Sequence, residues 1–319
     1  MKFSISIIGD LMVDMICSLN DISLLQAVEN KMHETTIQTR VGGTAFSFLR
    51  AAHKIGLEHI YVIGKVGADR KNRSSPDFAG ALITDQIHKF DATPLVAYSK
   101  SHGTGNVLIV YLPEDKRLML ADSGANKSFS LLDITKEMEH AVAETSILLI
   151  SATCFLFESR REAIMHLMKI AHRSETLIMV DVVPHIIYKY FDFHTFKQYT
   201  KHANGLIMEN NTAKRFLKTE DFSACDDETD KIASILLQDY QLIILKPNNE
   251  QQIIYNNLGM SKKETTGYNE THTNDKVGHS EWASLSILNH YLMTFRSKHY
   301  AKRGIRVKKS VRAKYKPGR

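Results

Sequence analysis

Several groups of residues in this chain of 319 amino acids have types and spacings suited to chemistry. Asp14 stands just past the apolar run FSISII (3–8), where its carboxylate can accept two hydrogen bonds from vicinal hydroxyls or serve as a turn or cap residue. Gly42 and Gly43 precede a stretch of helical spacing; paired glycines there let a ligand approach the backbone and leave helix N–H groups to bind it. Glu270, His272, Asp275, His279 and Glu281 crowd into twelve residues and invite a metal reading. On a helix, however, His279 and Glu281 point to different sides, unlike an i, i+4 ligand pair, so no metal site is expected. Asp69, after Gly67, reads as a turn carboxylate, and Cys154, inside ISATCFLF, as a small buried hydrophobe. GTG at 103–105 lacks a strand–helix context and no G-x-x-x-x-G-K-[ST] occurs, which excludes dinucleotide-fingerprint and P-loop readings.

The elements that must position these residues follow from hydrophobic periodicity. Apolar runs of strand length recur at 3–8, 59–66, 146–151, 177–182, 205–208 and 242–246. Between them Ala45, Phe48, Ala52 and Ile55 share one helical face, as do Ile164, Leu167, Met168 and Ala171. Continuous apolar strands alternating with amphipathic helices predict an α/β fold, a doubly wound and mostly parallel sheet with helices on both faces. Two stretches break the rhythm, about 12–40 and 92–121, and are expected to form a small β lid inserted into a body spanning 1–295. In open α/β sheets ligands bind beyond the carboxyl ends of the strands, which is where Asp14 and Gly67 fall.

Composition narrows the class. With 43% hydrophobic and 24% charged residues the chain is globular. The longest apolar stretch, Thr145 to Phe157, is too short to span a membrane. MKFSISIIGD reads as a buried strand rather than a secretion signal. Three scattered cysteines without CxxC spacing argue against a disulfide framework and fit a reducing cytoplasm. Residues 296–319 hold 11 of the 41 Lys and Arg and no acid, leaving 30 basic against 35 acidic residues in the rest. That tail is expected to be disordered, and its charge suits nucleic acid or another polyanion. Exposed lid edges would suit pairing into a homodimer.

The segments VGGTAFSFLRAAHKIGLEHIYVIGKVGAD, HGTG, SGAN (123–126), Asp181 to Pro184 and MENNTAKRFL (208–217), in this order, resemble the ribokinase, or PfkB, family of carbohydrate and nucleoside kinases over roughly residues 3–290. The resemblance implies a ribokinase-like fold, a sugar or nucleoside acceptor bound by Asp14, Gly42, Gly43 and Ser47, and ATP and Mg²⁺ as cofactors if the protein is active. It further implies an anion hole at Gly278, His279 and Ser280 beside a catalytic base at Glu281.

The chain departs from the family pattern on the phosphate side. The signature ending Gly-Ala-Gly-Asp reads Gly278-His279-Ser280-Glu281, so the base is one methylene longer, and a misplacement of about 1 Å can slow catalysis on the order of 100-fold. The family's Asn-x-x-Glu, which organises metal-bound water, aligns with Glu209-Asn210-Asn211-Thr212; its Thr-x-Gly segment aligns near Lys246-Pro247-Asn248; and Ser47 stands where an Asn is usual. After Glu281 the sequence continues for 38 residues, fewer than the family's adenine-walling helices occupy. These departures predict a kinase-like protein with a ligand cleft and weak or no phosphotransfer, serving a binding or regulatory role. The alternatives are an active ATP-dependent kinase using Glu281 and a polyanion-binding protein using the tail.

Overall fold

The computed structural model describes residues 3–19, 34–112, 116–183, 187–218, 228–247, 251–256, 264–266, 284–286 and 288. In chain order its elements are β1 (Ile5–Ile8), β2 (Met12–Ser18), β3 (Gln38–Gly42), α1 (Thr44–Lys54), β4 (Ile60–Gly67), α2 (Phe78–Lys89) and β5 (Ala92–Ser99). There follow β6 (Gly105–Tyr111), β7 (Arg117–Asp122), α3 (Lys136–Glu144), β8 (Ile147–Ser151), α4 (Glu158–Arg173) and β9 (Leu177–Asp181). The last are α5 (Phe193–Tyr199), β10 (Gly205–Glu209), α6 (Asn210–Leu217), α7 (Glu228–Leu236), β11 (Leu242–Lys246), β12 (Gln251–Asn256) and β13 (Glu264–Thr266).

Among the described residues the large sheet runs β13-β12-β11-β10-β9-β8-β1-β4-β5, parallel from β11 to β5 and antiparallel at β11–β12 and β12–β13. Its strands are apolar at successive positions because both faces are covered. Ile8, Leu148, Ile150, Val180, Met208 and Leu245 point into one core with α3 to α7. Their alternates Ile7, Ile147, Leu149, Met179, Ile207 and Ile244 point into the other, with α1 and α2. The helical faces expected from spacing are buried, Ala45, Phe48 and Ala52 on α1 and Ile164, Leu167, Met168 and Ala171 on α4.

The second sheet has the order β3-β2-β6-β7 and supplies the small β lid of the fold. Its extent corrects the expected 92–121: β5 pairs in parallel with β4 from Ile60↔Ala92 to Gly67↔Ser99 and closes the large sheet. The strand follows α2 directly and completes a β–α–β unit, and as an edge strand it is half-buried and tolerates Pro94, which gave it the look of a lid strand. The described lid segments are therefore 12–18, 38–42, 105–111 and 117–122. No helix among the described residues is long and apolar enough to cross a membrane. The expected tail, 296–319, lies outside the described residues.

Candidate functional site

The site is built where β1 leaves the large sheet and β2 enters the small one. The connection Gly9-Asp10-Leu11 runs against the start of α1: the Asp10 N–H donates to Thr44 Oγ1 at 3.0 Å, and the Asp10 carbonyl accepts from the Ala45 N–H at 3.3 Å. Gly43, at φ 86°, adopts a conformation that L side chains avoid, and a Cβ there would strike the Asp10 carbonyl oxygen. Buried Arg160, from the first turn of α4, donates to the Asp10 carboxylate at 2.5 Å and ties this junction to the opposite helical layer.

Asn126 closes the junction from a third side. Its Oδ1 accepts from the Leu11 N–H at 3.0 Å, and its Nδ2 donates to the Leu11 carbonyl at 2.9 Å and to the Ser123 carbonyl at 3.0 Å. One amide thus pairs with both backbone groups of Leu11, as a neighbouring strand would. The SGAN segment is accordingly a hinge clamp. HGTG is another: Thr104 Oγ1 accepts from the Gly67 N–H at 2.9 Å and donates to Asp77 Oδ1 at 2.5 Å, while Asp77 caps α2 through the Gly80 N–H at 2.7 Å. These bonds fix the angle at which the small sheet leaves the body.

Asp14 and Gly42 come together in the small sheet, and Gly43 follows at the turn into α1. Asp14 lies in β2 opposite Arg40 of β3, and its carboxylate packs over the bare Cα of Gly42. Arg40 Nε stands 3.5 Å from Asp14 Oδ2. Burial pushes the Asp14 carboxyl above the usual range, with the positive charges of Arg40 and Arg50 opposing the rise. Ser47 and Arg50 occupy the less buried face of α1, one and two turns beyond Gly43. On the lid face that carries Asp14, the alternation of β2 and β6 also places Met12, Ile16, Val107 and Ile109, a small apolar cluster. This constellation sets a buried carboxylate, an acceptor of hydrogen bonds, and two guanidiniums, donors of them, beside an apolar sheet face and a helix N-terminus.

The carboxyl ends of β9, β10 and β11 form the neighbouring zone and carry Asp181, Glu209 and Lys246. Asp181 and Lys246 are buried with Lys246 Nζ 3.8 Å from Asp181 Oδ1, and Glu209 is the register partner of Lys246. In α6, Asn210 Nδ2 donates to Thr229 Oγ1 of α7 at 2.7 Å, and Thr212 is buried. Asn210 thus joins α6 to α7. Among the described residues no group of three or more His, Cys, Asp or Glu could hold a metal ion. Gly278, His279, Ser280 and Glu281 lie outside the described residues, as do Glu270, His272 and Asp275.

Two other readings resolve simply. Asp69 accepts from the N–H groups of Lys71 and Asn72, both at 2.8 Å, as a turn carboxylate. Cys154 is fully buried and its thiol is pushed up to about 11, chiefly by burial. Sequence reasoning missed Arg40 and Arg160 as contributors to the site and singled out Asn126 only within the SGAN motif, without a role. A further signal was Asp10, a carboxylate directly after an apolar strand, which needs a partner when its surroundings are buried.

No protein-family model matches the chain. It is 31% identical over 159 residues to the 5-dehydro-2-deoxygluconokinases of Bacillus thuringiensis (strain Al Hakam) and Bacillus cereus (strain 03BB102), a match covering 48% of this chain and 44% of each relative. The chain thus matches less than half the length of these curated relatives. Among solved structures, adenosine kinase from Schistosoma mansoni with 2-fluoroadenosine superposes with a TM-score of 0.70 at 13% identity, over 92% of this chain and 90% of that one. Ribokinase from Giardia lamblia gives 0.69 at 12% identity over 93% and 85%, and adenosine kinase from Sinorhizobium meliloti 0.67 at 17% over 90% and 88%. With its two sheets joined at Asp10 and Leu11, this chain has the ribokinase-like, or PfkB-type, fold of these structures.

Proposed function

We propose that the protein binds a sugar or nucleoside between lid and body and transfers phosphoryl groups weakly or not at all. The observation that carries the reading is the contrast between the two halves of the site. On the acceptor side, Asp14 is held over Gly42 beside the start of α1, ready to accept hydrogen bonds from hydroxyls. On the phosphate side, Thr212 is buried where the family places a Glu, and Lys246 is held against Asp181. Phosphoryl transfer depends almost wholly on positioning and charge stabilisation, so losing that arrangement removes most of the acceleration while leaving acceptor binding. The curated relatives, named as 5-dehydro-2-deoxygluconokinases, and the bound nucleoside of the Schistosoma structure support a hydroxylated small molecule as ligand. Absence of a long apolar helix among the described residues is compatible with a cytoplasmic protein.

The test is incubation of the full chain with ATP, Mg²⁺ and a panel of sugars and nucleosides, alongside Glu281→Gln. The expected result is acceptor-dependent thermal stabilisation without transfer above the variant's background. Robust transfer abolished by Glu281→Gln would establish the active kinase instead, with ATP and Mg²⁺ as cofactors. The 11 basic residues of 296–319 support a second, separable role in recruiting a polyanion, expected to vanish in a 1–295 truncation assayed on nucleic acid at moderate salt.

A further inference from the structure

Cationic and protonatable side chains from two segments meet at the amino ends of β9 and β10, the sheet edge opposite the candidate site. Lys169, His172 and Arg173 stand near the end of α4, which leads into β9, and Lys201 and His202 stand in the turn between α5 and β10. The rings of His172 and His202 are in contact, their centroids 4.8 Å apart and their planes tilted by 34°. His202 is half-buried, and the other four side chains are exposed. The turn that carries Lys201 and His202 is fixed to the body. The Asn204 N–H donates to the Ile178 carbonyl and Asn204 Oδ1 accepts from the Ile178 N–H, both at 2.8 Å, while Thr200 and Tyr240 share a hydrogen bond at 2.7 Å.

Neither the helix end nor a neighbouring carboxylate accounts for this charge. The last carbonyls of α4 already accept from the backbone, those of Ile170 and Ala171 from the Ser174 N–H and that of His172 from the Glu175 N–H. Among the described residues, none of these five side chains makes an ion pair. Lys169 and Arg173 are like charges four residues apart on one helix, a spacing at which they repel and weaken it. His202 is held below the ordinary imidazole value by its burial, and then by the positive charges of His172, Lys201, Lys169 and Arg173. The folded chain therefore gathers positive charge against its own repulsion, and an anion placed among these groups relieves it.

We propose that this cluster is a binding site for phosphate groups, separate from the acceptor cleft, at which His172 and His202 take up protons as the anion binds. Phosphate oxygens accept hydrogen bonds from several directions at once, which suits two imidazole N–H donors ringed by Lys169, Arg173 and Lys201. Coupled protonation makes the site pH-sensitive, with affinity rising as pH falls through the imidazole range. The proposal does not depend on what occupies the acceptor cleft.

Inorganic tripolyphosphate titrated into the full chain at low salt tests it. The readouts are calorimetry at mildly acidic and mildly basic pH and NMR of the histidine ring nitrogens, with His172→Asn and His202→Asn assigning the two rings. Both rings are expected to shift saturably and to titrate at higher pH when the ligand is present. Arg173→Ala and Lys201→Ala should each weaken binding about fivefold, and added salt should weaken it further. The His172→Asn/His202→Asn double variant cancels the ligand's own titration; on acidification the wild type should gain about tenfold more affinity than this variant does. Unmoved rings, or equal affinity and pH dependence in wild type and double variant, overturn the proposal and place any binding on another surface. A thymidine oligonucleotide run alongside separates two carriers of the same group. Ring responses to both ligands support the site with a nucleic-acid backbone as carrier, and a response to tripolyphosphate alone supports it with a small phosphorylated molecule. Unfolding midpoints establish that each variant is folded, and Lys201→Ala, on an exposed turn, supplies the comparison should the double variant not be.

Discussion

The Asp14 carboxylate occupies the space that a side chain on Gly42 would fill. The two residues sit diagonally across the β2–β3 ladder, with Met12 opposite Gly42 and Asp14 opposite Arg40, on one face of the small sheet. The glycine is thus required by the carboxylate beside it as well as by the turn that follows. Gly42→Ala is expected to displace Asp14, abolish acceptor binding and destabilise the fold by about 1–3 kcal/mol. Gly56→Ala is the contrast: that glycine has φ 70° with nothing within 4 Å of an added Cβ, so only backbone strain follows and binding persists. Urea denaturation and ligand-induced thermal shift on both variants check this.

Replacing Asp14 by Asn should raise stability while removing binding. Burial holds the carboxyl above its usual value in spite of Arg40 and Arg50, so the folded state disfavours the charged form at neutral pH. The linkage follows from that direction: wild-type stability rises as pH falls through the raised folded value towards the unfolded one, because the folded state takes up the proton first. The advantage of Asp14→Asn is therefore present above the folded value and fades over that window. Unfolding midpoints followed from neutral pH down to below the ordinary carboxylate value would show it, and an Asn variant less stable than wild type at neutral pH would contradict it.

Asn126→Ala tests the hinge clamp. Removing the amide leaves the buried Leu11 N–H and carbonyl without this partner, at about 1–3 kcal/mol for each group. Asn126→Asp keeps the acceptor for the Leu11 N–H but sets a carboxylate against the carbonyls of Leu11 and Ser123, and is expected to be the worse of the two. Equilibrium unfolding ranks them, and hydrogen exchange should show the added opening concentrated at the start of β2.

Breaking the Arg160–Asp10 pair from one side leaves a largely buried charge behind, so Arg160→Met alone should cost about 3 kcal/mol or more. Combined with Asp10→Asn, much of that loss should be recovered, giving a favourable coupling in a double-mutant cycle. The measurement is urea unfolding of the two single variants and the double.

The sequence by itself determined the layered body. Continuous apolar runs at 3–8, 146–151, 177–182 and 242–246 can be satisfied only by burial on both faces, and their alternation with helical stripes makes the sheet parallel. Asp14 and the paired glycines were legible for a similar reason, since a carboxylate after a buried strand and two glycines before a helix are local patterns. Tertiary structure alone decided which sheet each strand joins. The half-buried alternation of Ala92–Ser99 suits either a lid or an edge, and only its pairing with β4 places it in the body. It alone also decided the partners of the site: Arg160 lies 150 residues from Asp10, and Asn126 lies 115 from Leu11. Periodicity records how a residue meets its own element's neighbours. Charge pairing and amide clamps depend on which distant elements the core brings together, so the polar environment that tunes Asp14 came into view only with the fold.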